Sequence, residues 1–134
     1  MRFLFPFVLL LFFACTDKRA EVIVLEESTM QVHDEAMAQM SEVKSTGRQL
    51  KRSLATMDSI GQTGPRRDSL IVGISALDRA GRDMMDWMAG YKAPDKLSNE
   101  EALAYLTAEK VKIDKNKSDI EAALALGKSL RSSN

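Results

Sequence analysis

The chain has 134 residues, 45% of them hydrophobic, which suits one domain and excludes a disordered polymer. Nineteen Lys and Arg balance nineteen Asp and Glu, so bulk charge points neither to nucleic acid nor to a solvating acidic tail. One Cys and one His exclude disulfide frameworks, Cys-rich zinc sites and any centre needing two imidazoles, while three Pro and 6% aromatic residues favour helices over strands.

Met1-Arg2 leads into an uninterrupted apolar run, Phe3 to Phe13, and then into Ala14-Cys15. A positive charge, a short apolar stretch and a small residue before Cys are laid out as a secretory signal. As a helix the run would reach about 16 Å, half of the ~30 Å hydrocarbon layer, so it is too short to remain as a span.

Because it ends on a small residue and a Cys, the leader resembles the bacterial lipoprotein signal. That resemblance implies cleavage after Ala14 and acylation of Cys15, with two or more acyl chains giving stable membrane attachment. A cleaved secreted chain with a free thiol, or a misassigned start, is the competing reading. Residues 1–14 are then the signal peptide, 15–20 the lipidated Cys and polar tether, and 21–134 the folded domain. The expected address is the cell envelope, anchored to a bacterial membrane and facing the periplasm. Cleavage leaves eighteen basic against nineteen acidic residues.

After the tether, Val22, Leu25, Thr29, Val32, Ala36, Met40, Val43, Gly47, Leu50, Leu54 and Met57 recur at steps of three and four. This pattern predicts one long amphipathic helix. Gly61-Gln62-Thr63-Gly64-Pro65 stops it and offers a Pro for the first turn of the next. Leu70, Ile74, Leu77, Gly81, Met84, Met88 and Tyr91 predict the second helix, which Pro94 ends. Ser98-Asn99-Glu100-Glu101 is a capping box for a third helix, whose stripe is Leu103, Leu106, Ile113, Ile120 and Leu124. Lys110, Asn116 and Lys117 interrupt that stripe and predict a narrow or partly wet contact.

No useful period-two stretch follows the leader, so the expected fold is all-α: an antiparallel three-helix bundle with a long first helix. Folding about residue 63 sets Met40 near Met85. Folding about residue 95 sets Tyr105 near Met85 and Ala102 near Met88. The first helix outruns the second, and its start, residues 21–32, should project as a stalk, or lie on lipid or on a second copy. Self-association is expected there.

Met30, His33, Met37 and Met40 share one strip of the first helix. By height they should meet Met84, Met85 and Met88 in a thioether-rich layer near Trp87 and Tyr105. Met fills irregular core gaps and packs well beside aromatics, so a structural core is the leading interpretation. Thioethers and imidazole also suit soft Cu(I), which makes Met30, His33 and Met37 a candidate copper set. Trp87 has two readings, a core cap whose indole N–H needs an acceptor, and an anchor for a partner.

His33-Asp34-Glu35, Met37 and Met40, then Met84-Met85-Asp86-Trp87-Met88 with Tyr91 and Pro94, then Tyr105-Leu106, Glu109-Lys110, Lys112 and Ile113 together resemble small uncharacterised lipoproteins of Bacteroidota. Some of these carry the label "viral A-type inclusion protein". The likeness covers most of the mature chain and implies an envelope address. It brings no activity or catalytic residue.

Between Ala20 and Val43 every charged residue is acidic, whereas Lys44, Arg48, Lys51, Arg52, Arg66 and Arg67 follow with only Asp58 against them. Helix-dipole matching accounts for much of this, but Arg66 and Arg67 open the second helix against that rule. A basic tip far from the anchor would suit an anionic envelope polymer or an acidic envelope protein. A solvated loop end held by minor ion pairs is the plainer account. No nucleophile elbow, phosphate loop or partnered His argues for an enzyme. The expected role is therefore a lipid-anchored structural or protein-interaction module, with copper binding or buffering as the alternative.

Overall fold

Three helices account for nearly all of residues 17–132, which are the residues described by the computed structural model. They are α1 (Lys18–Ser59), α2 (Pro65–Gly90) and α3 (Asn99–Ser132). The all-α three-helix bundle expected from periodicity is the fold observed. Cys15 and the leader lie outside the described residues. No helix among those described is long and apolar enough to cross a membrane.

Helix α1 begins inside the stretch expected to be tether. Asp17 caps it, its carboxylate accepting from the Arg19 amide at 3.1 Å. This satisfies one of the amides a helix start leaves open. The helix stops where Gly61, at φ +65°, takes a left-handed turn that other residues adopt at a cost. Gly64, at φ +115°, then precedes Pro65, which stands in the first turn of α2. The capping box of α3 forms as read from sequence. Glu101 accepts from the Ser98 amide at 2.9 Å, and Ser98 Oγ accepts from the Glu101 amide at 3.3 Å.

The buried positions follow a seven-residue repeat. In α1, Val22, Thr29, Ala36, Val43, Leu50 and Met57 lie seven apart. In α2, Leu70, Gly73, Leu77, Ala80, Met84 and Trp87 alternate steps of three and four, and in α3 Ala102, Leu106, Glu109 and Ile113 do the same. Such spacing keeps one seam of each helix against its neighbours in a left-handed coil. Here the expectation for α2 needs correcting. Ile74 and Gly81 are half-buried and Met88 is exposed, while the seam passes through Gly73, Ala80 and Trp87. The small residues belong inside because α3 comes close. A Cβ on Gly73 would stand 2.5 Å from Leu130 Cδ1, and one on Gly127 2.7 Å from Thr46 Cγ2.

Helices α1 and α3 run parallel at a constant offset of 82 residues. Lys18 pairs with Glu100, Lys117 donates to Glu35 at 2.8 Å and Arg131 donates to Gln49 at 3.1 Å. The start of α1 is therefore no free stalk. Val22 packs with Ala102 and Leu106 in a small second core. The expected heights across the α2–α3 turn also shift. Tyr105 lies beside Tyr91 rather than Met85, its hydroxyl accepting from the Lys92 amide at 2.9 Å. Likewise, Asn116 donates to the Asp83 carbonyl at 3.1 Å. Residues 91–98 leave the helix and carry the chain further along the bundle axis before α3 starts, so α3 reaches past α2 and covers α1.

Candidate functional site

The side of the bundle between α1 and α2 is left open. A groove of about 530 Å³ runs there, floored by Met40, Val43, Gly47, Leu77, Gly81 and Met85. Two mid-helix glycines make it. A Cβ on Gly47 would meet nothing within 4 Å, and one on Gly81 would meet only Met40 Cε at 3.6 Å. Glycine in a helix interior costs roughly 1 kcal/mol relative to Ala, so both residues are unfavourable locally; Met40 reaches over Gly81, and no atom of the described residues fills the space at Gly47.

Apolar residues continue the floor along both helices. Asp78 and Met85 line the groove, and Ile71 lies seven residues before Asp78 on the same side of α2. Met88 follows Gly81 by the same interval. Ile71, Met85 and Met88 are 41%, 53% and 38% exposed. On α1, Met30 and Met37 precede Lys44 by sevens and are half-buried against the core. The methionine strip expected from sequence is thus the edge of this open face. Of its partners across α2, only Met84 is buried, whereas Met85 and Met88 face out because the heptad seam passes through residues 84 and 87.

The rim is charged. Lys51 pairs with Asp78 at 2.9 Å. Lys44, Arg48 and Arg82 have no carboxylate partner among the described residues, and neither does Asp86 an ammonium or guanidinium. The α1 rim is basic throughout and the α2 rim carries two acids and Arg82, which offers an incoming surface both an apolar contact and defined charges.

Toward the end of the bundle where α1 begins, an aromatic row joins all three helices. His33 lies 5.6 Å from Trp87, Trp87 4.9 Å from Tyr91, and Tyr91 6.1 Å from Tyr105, between ring centroids. His33 Nδ1 is 2.9 Å from Asp34 Oδ1. Burial pushes the Tyr91 hydroxyl up to about 12, with the Glu26 charge adding to the shift. Trp87 is buried in the core, so it is not presented to a partner; its indole Nε1 finds no acceptor among the described residues.

Of the expected copper set, Met30 and Met37 pack against the core and His33 stacks toward Trp87. Among the described residues no three His, Cys, Asp or Glu side chains are grouped to hold a metal ion. The basic tip is largely absorbed by the fold. Arg67 donates to Asp58 at 2.7 Å, Lys128 pairs with Glu42 at 2.9 Å, and Arg66 is half-buried and engaged.

Sequence reasoning placed Gly47 in the buried stripe, where it lies, and Gly81 in the stripe of α2, where it is half-buried, but missed that no third helix closes over the two. Their shared height, set by the turn near residue 63, was the available signal. It also missed Glu109, a buried acid in the α3 seam held by Lys112 at 2.7 Å. No family model, curated protein or solved structure matches the chain.

Proposed function

We propose that this chain is a lipid-anchored envelope protein acting as an interaction module, with the open α1–α2 face as its docking surface. The leader and Cys15 supply the address, and α1 starts at Lys18, three residues after that Cys. A helix that begins so soon holds the bundle close to its membrane with little slack. The observation that carries the docking assignment is the open α1–α2 groove, with nothing within 4 Å of a Cβ on Gly47 and Ile71, Met85 and Met88 exposed along it. An exposed apolar strip with a polar rim is what interaction sites present.

The test is a photo-crosslinking side chain placed at Arg48, compared with one at Val111 on the outer side of α3, in the native host. A specific adduct from Arg48 and none from Val111 is the expected result. Equal labelling, or none, would remove the docking assignment. Palmitate incorporation that disappears in Cys15→Ser tests the anchor separately.

A further inference from the structure

We infer that the occupant of the α1–α2 groove is the same groove of a second copy, the two copies lying parallel about a two-fold axis along the bundle. This deepens the docking assignment above and rests on it.

Size is the first argument. Helix α2 is 26 residues long. At 1.5 Å per residue it runs about 39 Å, and two helices 8–10 Å apart give a face about 20 Å wide, or roughly 780 Å². That is close to the ~800 Å² each partner buries in an ordinary stable dimer. A face of this extent that also exposes Ile71, Met85 and Met88 matches a closed pairing better than a small ligand.

Symmetry and charge select the arrangement. Two faces of this kind can meet about a two-fold in either of two ways. If the axis runs across the helices, α1 meets α1 of the copy, and Lys44, Arg48 and Lys51 confront their own duplicates at close range. Like charges oppose this. If the axis runs along the helices, α1 meets α2 of the copy at the same height. Lys44 and Arg48, which have no carboxylate partner among the described residues, then face an α2 rim of Asp78, Arg82 and Asp86, two acids against one base with Asp78 shared with Lys51, and Gly47 faces Gly81. The two glycines lower the floor of the groove, and Met40 and Met85 of the two copies line its centre, where flexible thioethers fit imperfect surfaces.

The anchor reading agrees independently. Two chains tethered through Cys15 to one bilayer point the same way, which permits the parallel pair.

The experiment uses membranes from cells making two differently tagged full-length copies, one carrying Lys44→Cys and the other Asp86→Cys, under mild oxidation. A mixed disulfide at least ten-fold above the pair Val111→Cys with Asp86→Cys is expected, and Gly47→Leu in both copies should reduce it to the control level. A mixed disulfide no greater than the control overturns the inference. So does a stronger Arg48→Cys self-disulfide, which would mean antiparallel copies, or capture of a different protein by the same positions. Palmitate labelling of the same membranes is read alongside. Labelling without the mixed disulfide would sink the pairing and leave the anchor standing; the disulfide without labelling would do the reverse.

Discussion

Four glycines sit well inside the helices, and they fall into two pairs that differ in what surrounds them. Gly73 and Gly127 lie where α3 presses against the other two helices, and a Cβ on either would collide with Leu130 or Thr46. Gly47 and Gly81 lie where α1 and α2 diverge from any third element, and a Cβ there would find open space or ordinary contact. The first pair is explained by this chain alone. The second pair is not, because a Cβ at either position would be accommodated, so the helix gives up stability with no clash avoided. A mid-helix glycine therefore carries information only together with its surroundings.

The sharpest way to break this contrast is to add side chains on each side. Gly127→Val should destabilise the protein by about 3 kcal/mol, because β-branched Thr46 has little freedom to move away; a melt that stays within a degree or two of the parent would show that the α3 seam is looser than described. Thr46→Val keeps the shape that fills this seam but removes a buried hydroxyl with no partner among the described residues. It should stabilise by about 1 kcal/mol in urea unfolding, and a loss instead would mean the hydroxyl is satisfied by water.

On the open side, Gly47→Ala should raise stability by about 0.8 kcal/mol through helix propensity alone, measured on dilute protein. Destabilisation would show that the space is needed within the single chain.

The smallest effect is acid sensitivity. Hydrogen bonds from Lys117 and then Gln31 hold the Glu35 carboxyl below its ordinary value, the Ser98 contacts do the same for Glu101, and Lys18 for Glu100. Carboxylates depressed in the folded state contribute stability above their unfolded values, near 4.3, and lose it as pH falls through the folded ones. Melting temperature should thus be flat from pH 8 to about 5 and fall below about 4. Glu35→Gln should make that fall shallower, and an unchanged slope would mean the surface pair with Lys117 is energetically silent.

Much of the fold was legible because periodicity and stop signals are local. The Gly61–Pro65 break, the Pro94 region and the Ser98–Glu101 box each declare themselves within five residues. What was not legible depends on a third helix. Choosing Gly73 over Ile74, or Trp87 over Met88, as the inward residue requires knowing that α3 approaches closely, which hydrophobicity along α2 does not encode. The extended passage over residues 91–98 likewise changed which side chains share a height, moving Tyr105 from Met85 to Tyr91. As for the site, its glycines and methionines were all visible in the sequence; the exposure of Met85 and Met88 was not.

One consequence follows from the fixed offset between α1 and α3. Since the same separation relates Lys18 to Glu100, Glu35 to Lys117 and Gln49 to Arg131, and the buried residues of α1 from Val22 to Met57 recur every seven, the two helices act as a ruler graduated by the heptad. Adding seven residues to each of the three helices at one level would lengthen the rod by about 10.5 Å without rotating any face. The height at which the groove sits along the rod could thus be re-set in steps by evolution or an engineer while its lining stays the same.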